Sequence, residues 1–270
     1  DINFFLELPN PLLFHTAKIN IFVPNQEWCF KDWVNYLPLF DYVWCKTQLI
    51  KDIFDKYMDS SKVIYTSWNS IDKFSSKFEK KTNQCLHIAG RSILKGTNSL
   101  IETWKPEWPL LIVVYNKKTN NITEKEQHNI EYHRERLDDN ALTELMNTSS
   151  IHLCPSEAEG FGHYINEARS CKSIVITTNA EPMKNFTNKK YLIDILETID
   201  MKLTFGSRNI FDKTSLCNIM NNINSLNDNE ILEDGIQMRL EYLENITIFR
   251  KNLQTEINKI LNRINNNTIT

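Results

Sequence analysis

Two cationic side chains stand where an apolar run meets an amphipathic segment. Arg91 and Lys95 lie between Gly90 and Gly96. Backbone N–H groups at a glycine turn before a helix favour negative charge, and guanidinium and ammonium groups bind phosphate oxygens. The pattern predicts a diphosphate site, although the same charges could equally be solvated on a turn that a glycine closes. It is not a Walker A loop, which needs a glycine directly before the lysine, because Leu94 stands there.

A second polar segment combines carboxylates with glycines. Glu157 and Glu159 precede Gly160 and Gly162, and Glu167 follows in the next amphipathic stretch. We expect Glu159 in a loop after a buried strand and Glu167 in a helix, with the glycines allowing a ligand to approach backbone amides. A dinucleotide fingerprint is disfavoured because its third glycine is missing. Each glutamate alone could equally be an exposed acid near a helix N-terminus.

No residue set in the sequence suits a metal ion. The chain contains no Asp-x-Asp, and His128 and His133 have no matching set of cysteines or carboxylates. We therefore expect no metal ligand and no cofactor. Any chemistry would depend on charged side chains and backbone amides.

Short apolar runs alternate with longer amphipathic segments along the chain. Seven β-branched runs predict strands of a buried parallel sheet: 18–23, 42–45, 62–66, 85–89, 110–115, 151–154 and 173–177. Segments with three- and four-residue apolar spacing predict core-facing helices: 47–57, 97–104, 140–147 and 163–170. The alternation predicts a doubly wound α/β fold.

A polar stretch at 70–83 predicts a boundary between two domains. We expect a first Rossmann-like domain at 1–83, a second at 84–227, and closing helices at 228–270 that carry Leu240, Leu243, Ile246, Phe249 and Leu253 on one face. The first domain has three predicted strands, fewer than a complete Rossmann-like half. We therefore expect an upstream domain or a partner chain to complete it.

Charge and hydropathy exclude several classes of partner. The net charge of -3 gives no overall attraction to nucleic acid, and the longest apolar runs are far shorter than the roughly 20 residues of a membrane span.

The 6 cysteines are scattered without a CxxC pair, which favours buried thiols over a disulfide framework. Ile2 to Leu6 has no basic flank typical of a signal peptide. We expect a cytoplasmic protein whose N-terminus is truncated.

The second polar segment resembles a known family. Glu159-Gly160-Phe161-Gly162 together with Glu167 is similar to the EGFG and E-x7-E signature of retaining glycosyltransferases of family 4, the group 1 type. The earlier glycine turn with its two cations is similar to the GR...KG diphosphate loop of the same family, and it has the expected order in the chain. The resemblance covers 85–178 well and the closing helices more loosely.

The resemblance implies a GT-B fold, in which two Rossmann-like domains face each other across a cleft. It implies that Arg91 and Lys95 hold the diphosphate of a nucleotide sugar and that Glu167 bonds the ribose hydroxyls. It further implies that Glu159, with the amides of Gly160 to Gly162, holds the transferred sugar. An ionised carboxylate can accept two hydroxyl donors, and two fixed cations can stabilise a leaving diphosphate. The implied activity is metal-independent transfer of a sugar, a hexose in our expectation, with retention of configuration.

Two departures from the family pattern concern the cleft. The family often has a histidine in a loop of its first domain, whereas this chain has 24–28, in which Glu27 could take that place or be an exposed acid. Its frequent Gly-Gly-x-x-Glu turn is replaced by 179–183. The acceptor, whether glycan, lipid or protein, is not identified by the sequence. A non-catalytic nucleotide-sugar-binding module and a GT-B-like epimerase or phosphorylase remain alternatives.

Overall fold

The computed structural model describes residues 2–266, which form two parallel sheets and a small antiparallel hairpin. The first sheet has four strands in sequential order: β1 (Ile2–Leu6), β2 (Ile19–Val23), β3 (Tyr42–Cys45) and β4 (Val63–Tyr65). Helix α1 (Gln48–Phe54) follows β3. The first strand was not among the three predicted here. It lies at the sheet edge, where Phe5 is its one buried residue and the apolar pattern is weak.

The second sheet has six parallel strands, and its order reverses at the centre. In chain order they are β5 (Lys81–Gly90), β6 (Leu110–Tyr115), β7 (Ile130–His133), β8 (Ser149–Cys154), β9 (Ile174–Thr178) and β10 (Leu192–Ile193). Their spatial order is β10-β9-β8-β5-β6-β7. The chain thus builds outward from β5 in one direction and then returns to β8 on its other side. Ligands of open α/β sheets bind outside the carboxyl ends of strands at such a reversal.

Four helices accompany the second sheet: α2 (Thr97–Thr103), α3 (Asp139–Thr148), α4 (His163–Ser170) and α5 (Lys213–Asn224). Three of them lie where the apolar spacing predicts helices. Side-chain caps begin two of the four, since Asp138 accepts from Ala141 N and Asp212 accepts from Thr214 N. Helices α2 and α4 instead begin after glycines with positive φ, and these are the two glycine motifs of the sequence.

An antiparallel hairpin that no pattern predicted joins the two sheets. It comprises β11 (Ile195–Asp200) and β12 (Ser207–Phe211). Its tip lies on the loop after β2, where Lys31 N donates to Leu203 O over 2.9 Å and Phe205 N donates to Cys29 O over 3.1 Å. The ring of Phe205 also lies 5.9 Å from that of Phe54 on α1. The hairpin therefore ties the second sheet to the first across the space between them.

One long helix, α6 (Asp228–Asn266), closes the described chain. Its first half packs near α4 and the second sheet, where Met238 and Tyr242 are buried, and Ile260 in its second half packs on the first sheet. Leu240 and Leu243, which the sequence places on one face of the closing helices, are exposed. The buried face at this point is instead marked by Tyr242, whose hydroxyl donates a hydrogen bond to Ser70 O over 2.8 Å.

Candidate functional site

The loops after β5 and β8 lie side by side at the reversal of strand order. Below them, His87 on β5 links β8 to the start of α2, with Nδ1 2.8 Å from Leu153 O and Nε2 2.8 Å from Thr97 Oγ1. Burial lowers the pKa of His87 to about 4, so the ring is neutral near pH 7. A neutral imidazole between a carbonyl and a hydroxyl fixes the start of α2 against β8.

Close backbone contact makes the two glycine motifs one unit. Gly96 has a φ of +64°, and a Cβ added to it would collide with the carbonyl oxygen of Pro155. Beside it, Glu157 N donates to Leu94 O over 2.8 Å. The two segments were predicted separately from the sequence. Their contact explains why the position before α2 needs glycine.

Lys95 and Glu159, one from each motif, form a direct ion pair. Glu159 also accepts from Ser156 Oγ over 2.6 Å, and Lys95 Nζ lies 3.6 Å from the ring centroid of Tyr164. Both charged side chains are largely buried, at 15% and 12% exposure. The pair therefore holds both groups in place at the cleft. A phosphate arriving at Lys95 would share this cation with Glu159.

The second predicted cation is arranged differently. Arg91 is exposed, and within residues 2–266 no ion pair is seen for its guanidinium. Gly90, with a φ of +56°, turns the chain so that Arg91 leaves the sheet. Its charge is therefore free to bind a ligand.

The Gly160-Phe161-Gly162 segment lies against the loop after β2. A Cβ on Gly160 would lie 2.5 Å from Asn25 Cγ and from Glu27 Oε2, so the loop fills the approach that we expected a ligand to make. Phe161 is buried and packs on Phe186 with ring centroids 5.3 Å apart. Gly162 has a φ of +91° and directly precedes α4.

Gln26 and Glu27 complete the contact between the two halves. Gln26 Nε2 donates to Glu159 O over 2.6 Å, whereas Gln26 Oε1 and Glu27 Oε2 are buried without a hydrogen-bond partner among the described residues. Burial, followed by the nearby charge of Glu159, raises the pKa of Glu27 to about 7. Sequence reasoning raised Glu27 only as an alternative to the family's histidine, and no pattern singled out Gln26.

The remaining glutamates have different surroundings. Glu157 is buried and forms an ion pair with Arg208 on β12, so its carboxylate anchors the hairpin. Glu167 on α4 is half-buried, and burial raises its pKa above the usual value against the charges of Lys73 and Lys95. Glu167 is not among the described residues that line the three cavities at the carboxyl edge of the second sheet.

Three adjoining cavities follow the carboxyl edge of the second sheet. The outer cavity, about 430 Å³, lies at the ends of β5, β6 and β7, with Val114, Tyr115 and Leu137 in its walls. The middle cavity, about 410 Å³, includes Lys95 and shares Arg91 with the outer one. The hairpin cavity, about 310 Å³, lies between the loop after β2 and the hairpin. It shares three residues with the middle cavity: Glu27, Ala158 and Glu159.

Residues 2–266 contain neither a cluster of potential metal ligands nor a helix suited to span a membrane. Within that range the structure shows no group of three or more His, Cys, Asp or Glu side chains placed to hold a metal ion. The same stretch contains no helix with the length and hydropathy of a membrane span.

The sequence of the second sheet matches a known family. Residues 69–194 match the model of the family described as "Glycosyl transferases group 1". This range contains both glycine motifs, and the predicted resemblance to glycosyltransferases is thereby confirmed. A comparison with curated proteins finds no match.

Solved structures of similar fold include TarM, with a TM-score of 0.69 at 15% identity over 94% of this chain and 54% of TarM. A glycosyltransferase from Rickettsia africae has a TM-score of 0.68 at 15% identity, covering 94% and 76% of the two chains. Anabaena Alr3699/HepE in complex with UDP and glucose has a TM-score of 0.65 at 15% identity, covering 91% and 73%. The chain thus spans about half the length of TarM. These similarities confirm the predicted α/β fold of GT-B type.

Proposed function

We propose that this chain is a retaining, metal-independent glycosyltransferase that moves a sugar, in our expectation a hexose, from a nucleotide-diphosphate sugar to an acceptor. The observation that carries the proposal is the series of three adjoining cavities. Along the carboxyl edge of the second sheet, the outer cavity offers apolar side chains such as Val114 and Leu137, the middle cavity adds Arg91 and Lys95, and the hairpin cavity has carboxyl groups and no cation among its described lining residues. A nucleotide sugar has the same sequence of parts: a planar base, a diphosphate and a hydroxylated ring.

The outer cavity suits the nucleoside. Val114, Leu137 and Leu142 offer apolar walls to a base, and Arg91 lies at the passage to the middle cavity. We propose that Glu167 bonds the ribose hydroxyls, as the family resemblance implies, because an ionised carboxylate accepts two hydroxyl donors. Since Glu167 is not in the cavity wall of the described residues, this role requires a side-chain movement or a ligand that reaches toward α4.

The middle cavity suits the diphosphate. Arg91 is exposed and has no ion pair within residues 2–266, whereas Lys95 is held by Glu159 and the Tyr164 ring. In the proposed complex, Arg91 and Lys95 bind the phosphate oxygens and stabilise the charge that develops as the diphosphate leaves. Metal independence is proposed because these two side chains can supply that countercharge without a divalent cation.

The acceptor is proposed to approach from the first sheet. A further cavity of about 340 Å³ lies there, between the ends of β3 and β4 and helix α6. Lys46, Trp68 and Phe161 contribute to its walls, and Phe161 belongs to the same loop as Glu159. The acceptor itself, a glycan, lipid or protein, stays open. We also propose a cytoplasmic location, supported by 6 free cysteines, of which 5 are buried.

The proposal is tested by thermal stabilisation with a panel of UDP-, GDP- and ADP-sugars, followed by product analysis. Ligands that bind the folded state raise its stability as RT ln(1 + [L]/Kd). We expect one nucleotide series to protect the chain, sugar release or transfer to persist in EDTA, and NMR to show a retained anomeric configuration. Protection without turnover would favour a non-catalytic binding module, and an altered sugar on an intact donor would favour an epimerase. Absence of protection by every nucleotide would refute donor binding.

A further inference from the structure

We propose that Trp28, on the loop after β2, is a further nucleotide-binding residue, whose indole packs over the diphosphate in the middle cavity and donates its N–H to a phosphate oxygen. The inference rests on the proposed function. It adds a contact from the first sheet to those of Arg91 and Lys95 on the second.

The middle cavity has walls from both halves of the chain. The loop after β2 contributes Glu27 and Trp28, and the loops after β5 and β8 contribute Arg91, Lys95 and Glu159. Its volume of about 410 Å³ is that of a small-molecule site. A phosphate group that reaches both cations inside a cavity of this size therefore also comes close to Trp28.

Trp28 is exposed although its neighbours in the loop are buried. Its exposed fraction is 52%, whereas Glu27 and Cys29 on either side are 6% and 1% exposed. The backbone is held at this point, since Trp28 N donates to Asn25 O over 3.2 Å and Phe205 N donates to Cys29 O over 3.1 Å. The loop therefore has a fixed position, and the indole is the part of it that stays outside the core.

The indole of Trp28 is free to bind a ligand. Within residues 2–266 its ring takes part in no aromatic or cation–π contact, and its N–H donates to no acceptor. By contrast, the indole N–H groups of Trp104 and Trp108 donate to Pro109 O over 3.2 Å and to Asn221 Oδ1 over 3.0 Å. An indole N–H can only donate, and phosphate oxygens accept. Trp28 therefore offers the diphosphate a neutral donor beside two cations.

Covering the diphosphate also strengthens its ionic contacts. Opposite charges attract more strongly where water is excluded, because the effective dielectric constant is lower there. Ile93, which is 75% exposed, adds apolar surface to the same cavity from the loop after β5. With Trp28 on the first half of the chain and Ile93 on the second, a bound diphosphate loses water while Arg91 and Lys95 hold its charge.

Quenching of tryptophan fluorescence by acrylamide tests the contact directly. Trp28 is the most exposed of the 6 tryptophans and therefore dominates the quenching. Saturating UDP should reduce the quenching of the parent, because the nucleotide covers the indole. Trp28→Phe should remove this reduction. Trp33→Phe, at a half-buried ring that does not line the described middle cavity, should keep it.

Calorimetry measures what the contact contributes to affinity. We expect Trp28→Ala to weaken UDP binding about tenfold, which is about 1.4 kcal/mol, and Trp28→Phe to weaken it less, because it keeps a ring and loses only the N–H donor. The loss should be smaller for UMP, which lacks the second phosphate. If GDP binds and UDP does not, GDP and GMP replace the pair.

Phe30→Ala is the matched control for affinity. Phe30 is an aromatic residue of the same loop with 44% exposure, and it is not among the described residues that line the middle cavity. Its removal should leave UDP affinity unchanged. Unfolding curves show whether each variant is folded, and the exposure of Trp28 predicts parent-like stability for Trp28→Ala.

The outcomes separate this inference from the proposed function. Unchanged quenching on UDP binding, or unchanged UDP affinity in Trp28→Ala, would overturn the inference while donor binding stands. Equal losses for UDP and UMP would place the indole away from the second phosphate and would overturn it as well. If neither UDP nor GDP binds the parent, the proposed function fails and the inference falls with it.

Discussion

The two walls of the cleft differ in how completely their polar groups are satisfied. On the second-sheet wall, Lys95 and Glu159 are paired, and Ser156 and Tyr164 hold that pair in place. On the first-sheet wall, Gln26 and Glu27 bury acceptor oxygens that have no donor among the described residues. One wall is organised before any ligand arrives, and the other buries polar atoms without hydrogen bonds. In the proposed complex, the diphosphate gains its ionic contacts from the organised second-sheet wall, whereas the first-sheet wall contributes strain that folding must offset.

The largest expected effect concerns the organised wall. In the proposed complex, Lys95→Ala removes a phosphate contact and leaves Glu159 unpaired beside the diphosphate. We expect nucleoside diphosphate affinity to fall about 100-fold, since hydrogen bonds to charged groups contribute about 1.5–3 kcal/mol and an unpaired acid adds repulsion. Arg91→Ala, at an exposed site, should cost about tenfold by the same scale.

Calorimetry with UDP and GDP at two salt concentrations measures both effects. Equal affinity for parent and Lys95→Ala, with unchanged salt dependence, would show that this lysine does not bind the diphosphate. Thermal unfolding of each variant serves as the control for folding.

The second prediction concerns Glu27 on the first-sheet wall and the dependence of the folding stability on pH. The pKa of Glu27 is about 7 in the folded chain against an ordinary value of 4.5, so the folded state retains a proton that the unfolded state releases. The stability from this group is fully present below pH 4.5 and is lost as pH rises through about 7. At 1.36 kcal/mol per pKa unit, the loss amounts to up to about 3 kcal/mol.

Glu27→Gln should remove this pH dependence, so that the variant gains stability relative to the parent between pH 5 and pH 8. Urea unfolding at both pH values measures the difference, with Glu197→Gln as the exposed control. Identical pH slopes for Glu27→Gln and the parent would contradict the assignment of the shift to Glu27.

The contact between the walls can be broken at a glycine. A Cβ on Gly160 would lie 2.5 Å from Asn25 Cγ and from Glu27 Oε2, so Gly160→Ala should destabilise the chain by about 1–3 kcal/mol through overpacking. Gly90→Ala is the matched comparison, because its Cβ would meet no atom within 4 Å but its φ is +56°. Backbone strain alone costs about 1 kcal/mol or more at a left-handed residue.

Denaturant unfolding of both variants separates crowding from strain. If Gly160→Ala is as stable as the parent, the loop after β2 is not packed on this glycine in solution.

The smallest expected effect distinguishes the two glutamates of the predicted signature. Glu167→Gln should weaken UDP or GDP binding about tenfold, about 1.4 kcal/mol, while Glu159→Gln should weaken binding of the free nucleotide less and reduce sugar transfer more. The expectation follows from their proposed roles at ribose and sugar. Equal loss of nucleotide affinity in both variants would show that the roles are not distinct.

Much of the second sheet could be predicted from local pattern. Buried parallel strands are continuous apolar runs, so β6, β8 and β9 are visible in the sequence. Strands β7 and β10 were missed because they are short, and the hairpin was missed because β11 is largely exposed and lacks a buried apolar face. Edge strand β1 was missed for the same reason.

The sequence by itself determined the glycine turns at Gly90, Gly96 and Gly162, because a positive φ is a local requirement that glycine meets without strain. It also determined which cations and carboxylates stand at the ends of buried strands. Only the tertiary structure decided that Lys95 pairs with Glu159 and that the loop after β2 covers Gly160. These contacts join segments 64 and more than 130 residues apart. Their formation depends on how whole elements pack, which no local spacing specifies.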